Sequence, residues 1–143
     1  MFLLDTNVVS ELRKARSGNL DKNVGAWAAG KPVASLFVSA ITVQELEIGI
    51  LRAERRDVVQ GASLRNWLET QVLPSFAERI LPVDVAVARR SAGLHVPHTR
   101  PVRDGLIAAT ALVHGMTVAT RNIRDFEPTG VPVVDPWRWT GTG

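Results

Sequence analysis

Phe2-Leu3-Leu4-Asp5-Thr6-Asn7-Val8-Val9-Ser10-Glu11-Leu12 sets the grammar for the rest of the chain. Three apolar residues make a short buried strand. Asp5 and Asn7 are turn and helix-capping residues, and an apolar helical segment follows from Val8. Strand, tight turn, helix is the opening of a βα unit. Basic Arg13-Lys14-Ala15-Arg16 with Ser17-Gly18-Asn19 closes that helix, and a short helix over 22–29 ends at Gly30-Lys31-Pro32. The pattern then repeats. Leu36-Phe37-Val38-Ser39 reads as a second strand, and Thr42-Val43-Gln44-Glu45 matches the capping box of a helix start. Leu46, Ile48, Ile50 and Ala53 give that helix its apolar face. A further helix over 62–73 carries Leu64, Trp67, Leu68 and Val72, with Pro74 ending or kinking it.

The second half continues the alternation. Residues 79–83 read as a third strand and Asp84 as the start of another helix. Residues 93–101, with two prolines and two histidines, read as a loop. An alanine-rich helix over 104–113 closes at His114-Gly115 as a glycine C-cap. Residues 116–120 and 131–134 are the last two strands. Alternating strands and helices imply an α/β fold on a parallel sheet of four to five short strands flanked by helices. No repeat or linker interrupts it, so residues 1–143 read as one domain.

Composition excludes several chemistries. Without cysteine there is no disulfide framework, no thiolate nucleophile and no common zinc template, which fits a reducing cytoplasm. No apolar run approaches the about 18 residues of a membrane span, and Asp5 interrupts any signal-peptide core. His95, His98 and His114 form no HExxH pair, and His95-Val96-Pro97-His98 reads as loop. Net charge is only +3, but fourteen of the seventeen basic residues are arginine. The planar guanidinium fork suits phosphate and base stacking, although a GC-rich genome produces the same bias.

In open parallel sheets, ligands bind beyond the carboxyl ends of the strands. Asp5 follows the first strand, Glu45 lies in the first turn of the helix after the second, and Asp104 in the first turn of the helix before the fourth. Thr120-Arg121-Asn122 follows the fourth strand, with Asp125 three residues on. Each acid has a structural explanation too. Asp5 can cap the first helix, Glu45 can complete a capping box with Thr42, and Asp104 can serve a helix dipole. Together, however, they fall on one expected edge, where uncompensated carboxylates repel one another unless a cation sits between them. A hard divalent ion is the natural partner for such oxygen ligands.

These segments resemble the PIN-domain nucleases, most closely the VapC and FitB-like toxins of bacterial toxin–antitoxin modules. The resemblance is carried in order by Phe2–Leu12, Val38–Leu46, Asp104–Ala111 and Val118–Phe126, and it spans nearly the whole chain. It implies a three-layer sandwich and divalent-metal endonucleolytic cleavage of RNA, with Mg²⁺ or Mn²⁺ as cofactor. It also implies a small DNA-binding antitoxin from an adjacent gene and a homodimer. By motif, Asp5, Glu45 and Asp104 become the catalytic, metal-binding acids, with Thr6, Asn7 and Thr120 in support. The family's fourth acid falls at Asn122, which departs from the pattern, and Asp125 either replaces it or only caps the next turn. Arg100, Arg103, Arg121 and Arg124 flank the motifs and are candidates for holding the RNA backbone. The tryptophans are expected in packing roles, Trp137 above all. The rival reading is a non-catalytic PIN-like module that binds RNA or protein without cutting.

Overall fold

The computed structural model describes residues 1–141. Five parallel strands form one sheet: β1 (Phe2–Leu4), β2 (Leu36–Ser39), β3 (Ile80–Leu81), β4 (Thr117–Ala119) and β5 (Val133–Val134). Their spatial order is β3-β2-β1-β4-β5, and every neighbouring pair is parallel. The chain steps outward from β1 on one side, then returns to β4 and continues outward on the other. A topological switch point therefore lies between β1 and β4, where Leu4 is in register with Ala119.

Helices cover both faces, as a fully parallel sheet requires. They are α1 (Thr6–Leu12), α2 (Lys22–Ala29), α3 (Ala40–Arg56), α4 (Val58–Trp67), α5 (Leu73–Ser75), α6 (Val85–Leu94), α7 (Val102–His114) and α8 (Ile123–Phe126). The period-two alternation of the strands separates two cores. Leu4, Leu36, Val38 and Ala119 face a cluster with Val8, Trp27, Ile50 and Leu68. Leu3, Phe37 and Val118 face the opposite cluster with Ile107, Ala108 and Phe126. This is the expected three-layer α/β sandwich. No helix among the described residues is long and apolar enough to cross a membrane.

Several boundaries differ from expectation, each for a local reason. Helix α3 begins at Ala40, because Ser39 leaves the strand in an extended conformation and its Oγ accepts from Ile41 N at 3.0 Å. Thr42 is therefore no N-cap, and the capping box with Glu45 does not form. Helix α4 starts at Val58, four residues early, because Asp57 caps it through Val59 N and Gln60 N. A π-helical turn over Leu68–Val72 precedes the Pro74 segment. The third strand contracts to Ile80–Leu81, with Pro82 lacking the N–H to extend it. Beyond α1 the basic run coils as a 3₁₀ turn, Arg13–Ser17, ending at Gly18 with φ 77°. Glu11 ties it down, accepting from Lys14 Nζ at 3.1 Å and Asp21 N at 3.0 Å. The expected loop from Gly93 starts later, since α6 runs to Leu94.

Candidate active site

Asp5 and Thr120 leave adjacent parallel strands at the switch point, which is where such sheets bind ligands. Backbone pairing continues past the strands, with Asp5 N donating to Ala119 O at 2.9 Å. The Asp5 side chain is only 5% exposed. Its Oδ1 accepts from Thr6 N at 2.8 Å, capping α1, and its Oδ2 accepts from Thr120 Oγ1 at 2.8 Å. Capping and site roles thus coincide in one carboxylate, one oxygen for each. Asn7 Nδ2 lies 3.4 Å from both Asp5 Oδ2 and Thr120 Oγ1, and its Oδ1 accepts from Arg121 N at 3.4 Å. Thr120 Oγ1 in turn accepts from Asn122 N at 2.9 Å. Burial raises the Asp5 pKa above the usual aspartate value. The Thr120 and Thr6 bonds oppose this, and the charges of Glu45 and Asp125 add to it.

Glu45 sits in the second turn of α3 rather than the first. Thr6 Oγ1 donates to Glu45 Oε1 at 2.6 Å, and Arg103 Nε lies 3.3 Å from Glu45 Oε2. Asp104 is the third residue of α7, pointed at the same region. Its pKa is pushed up to about 6, first by burial and then by Asp5, Asp125 and Glu45, with Arg103 opposing. Asp5 and Asp104 therefore both feel the charges of Glu45 and Asp125, and Asp104 that of Asp5 as well. Among the described residues, no three His, Asp or Glu side chains close on a single ligating point. The donors are all oxygen, and such hard ligands suit an ion that keeps several waters and takes one or two carboxylates directly. His95 is occupied elsewhere, at the end of α6, its Nδ1 accepting from Arg100 N at 3.5 Å.

Asn122 heads α8 without a side-chain capping bond, whereas the charge of Asp125, in the first turn of α8, reaches both Asp5 and Asp104. The arginines divide. Arg103 faces Glu45, and Arg121 stacks over the Trp137 ring at 5.0 Å. Arg100 is partly buried and its Nε donates to Leu94 O at 2.6 Å, tying it to the end of α6. Arg124 lines a groove of about 680 Å³ with Arg121, Asn122, Asp125 and Arg138. Sequence reading missed Thr42, which is buried with its Oγ1 3.4 Å from Thr6 Oγ1. Its place three residues before Glu45 on a helix was the available signal, read instead as a cap. Trp27 is fully buried and Trp137 packs on the same cluster, as expected.

Residues 2–130 match the model of the PIN domain. The chain belongs to the PIN-domain family. A relative named VapC ribonuclease Y4jK, from Sinorhizobium fredii, is 41% identical over 96% of this chain and 98% of its own length. A second, named toxin FitB, from Neisseria gonorrhoeae, is 39% identical over 96% and 99%. The solved structure of FitAB bound to an IR36 DNA fragment superposes with a TM-score of 0.83, at 34% identity and over 100% of both chains. Within this PIN domain, each of the four resemblance-bearing segments brings one acid to the switch-point region, Asp5, Glu45, Asp104 and Asp125, and the fourth also contributes Thr120.

Proposed function

We propose that this PIN-domain protein is an endoribonuclease toxin that hydrolyses RNA phosphodiester bonds with Mg²⁺ or Mn²⁺. The observation that carries the reading is the convergence of Asp5, Glu45, Asp104 and Asp125 at the β1/β4 switch point, with burial and mutual repulsion raising Asp5 and Asp104. A buried aspartate surrounded by like charge is unfavourable in isolation, and a divalent cation removes that penalty. Relatives named as a ribonuclease and a toxin support the substrate class and the role.

Each neighbour of the acids has a defined task in this reading. Thr120 and the Thr6 amide fix the Asp5 carboxylate in one rotation, and the Thr6 hydroxyl does the same for Glu45. With the Thr6 proton committed to Glu45, the Thr42 hydroxyl 3.4 Å away can serve that oxygen only as a donor. When bound, the ion supplies a water of lowered pKa and stabilises charge on the leaving 3′ oxygen. Arg124, and Arg121 on its Trp137 platform, offer guanidinium groups to the RNA backbone along the groove they line. The acids fixed in advance lose little reorganisation energy during the reaction, which is where such sites gain most. A small DNA-binding antitoxin and a homodimeric assembly complete the proposal. The FitAB complex on DNA supports the first of these.

Induced expression in bacteria tests the role. Growth is expected to arrest, Asp5→Asn is expected to relieve the arrest at equal soluble protein, and the small protein encoded beside this gene is expected to restore growth when co-expressed. Normal growth with abundant folded wild-type protein contradicts the toxin reading.

A further inference from the structure

Both carboxylate oxygens of Glu45 are engaged, but by contacts of different kinds. Oε1 receives the 2.6 Å bond from Thr6, a short branched side chain on the first residue of α1. Oε2 faces Arg103 Nε at 3.3 Å, which is long for a charge-assisted bond. The Arg103 side chain is 51% exposed and that of Glu45 24%. Arg103 also borders an open hollow of about 450 Å³ that it shares with Glu45 and Asp104. Each carboxylate oxygen keeps a second lone pair, so a cation can bind Glu45 beside the neutral Thr6 hydroxyl, but two positive charges on Oε2 repel each other and the ion competes with Arg103. The Thr6 arm is short and anchored beside Asp5, while the Arg103 arm is long, half in water and has room to swing.

We propose that Arg103 is an internal counter-ion: it pairs with Glu45 when no cation is bound and surrenders that carboxylate when a divalent ion enters. Arg103 is thus a positioning residue that sets how tightly the ion is held, by competing with it for one oxygen. The inference rests on the metal-dependent reading above. Partly exposed ion pairs are weak, so the competition weakens ion binding by about two- to fivefold.

Mn²⁺ affinity, read from the paramagnetic resonance signal of free Mn²⁺, tests this on the intact protein without any turnover. Arg103→Gln is expected to tighten binding about two- to fivefold, and Arg103→Lys to fall between. In a Glu45→Gln background the same Arg103→Gln change is expected to tighten binding clearly less, because only the longer-range charge of Arg103 on Asp104 remains. In ¹⁵N spectra, the Nε–H signal missing from Arg103→Gln is expected to shift when Mg²⁺ is added to wild type. Unchanged or weakened Mn²⁺ binding in Arg103→Gln overturns the proposal. Equal tightening with and without Glu45 also overturns it, since that is a general charge effect. If wild type and all variants fail to bind Mn²⁺, the metal-dependent reading itself fails, and that outcome is distinct from the other two.

Discussion

Replacing Asp104 by Asn should make the metal-free protein more stable, and the gain should vanish in acid. The carboxyl titrates near 6 in the folded chain against an ordinary 3.8. About two pH units correspond to about 3 kcal/mol as a ceiling. Asp104 is only half-buried, and solvent screening cuts this to about 1–2 kcal/mol. Its place in the first turn of α7 contributes the opposite way, since the helix dipole favours a carboxylate there by about 0.3–1 kcal/mol. The net expectation is about 1 kcal/mol in favour of Asn at pH 7.5, or about 3 °C in Tm for a chain of this size. The sign follows from linkage. Between pH 3.8 and 6 the folded state holds this proton more often than the unfolded state, so stability falls as pH rises through that window. Urea unfolding in EDTA at pH 4 and pH 7.5 measures the gap between wild type and Asp104→Asn. The gap should be close to zero at the lower pH and full at the higher. Mn²⁺ should reverse its sign, because the ion binds the carboxylate and not the amide. A variant less stable than wild type in EDTA at pH 7.5, with no pH dependence of the difference, would refute the reasoning and leave Asp104 as a helix-terminal charge.

Three other substitutions probe separate parts of the account. Gly61→Ala would place a Cβ 2.6 Å from Glu54 Cα and 2.8 Å from Glu54 N, backbone atoms that cannot step aside. It should cost about 2–3 kcal/mol in urea unfolding and loosen the Arg65 pairs to Glu47 and Glu54 that join α3 to α4. Asn122→Asp adds a carboxylate beside Thr120 and should tighten Mn²⁺ binding by calorimetry while lowering stability in EDTA. No change there, with weaker binding in Asp125→Asn, would assign the fourth ligand to Asp125. Thr6→Val keeps the shape of the side chain but removes the 2.6 Å bond to Glu45, and should slow single-turnover RNA cleavage about tenfold, with Thr6→Ser retaining most of the rate.

The sequence was most readable where an apolar run and its cap coincide. Strand Leu36–Ser39 and helix Lys22–Ala29 fall at the expected residues for that reason, as does the Gly115 C-cap with its φ of 67°. It was least readable where two caps compete or the apolar pattern misleads. Thr42 reads as the N-cap, but Ser39, read only as the end of the strand, takes that role. Val58 and Val59 open α4 yet are 79% and 80% exposed, so no buried face marks that turn. The site divides in the same way. The acids stand out as turn residues or residues near helix starts, but their partners do not. Thr120 meets Asp5 across 115 positions because β4 lies beside β1, a neighbour relation set by strand order and invisible to local pattern. The Arg103–Glu45 pair and the burial of Thr42 depend on how α7 and α1 pack against α3, which periodicity alone does not give.

The central claim is that carboxylates at the β1/β4 switch point, working through a divalent ion, cut RNA. Single-turnover cleavage of one end-labelled single-stranded RNA tests it most directly, with wild type and Asp5→Asn compared across a Mn²⁺ titration and then in EDTA. Wild type should cleave in proportion to ion occupancy and stop in EDTA, and folded Asp5→Asn should be slower by about 100-fold or more at saturating Mn²⁺. Undiminished cleavage in EDTA, or a folded Asp5→Asn that cuts at the wild-type rate, would contradict the account.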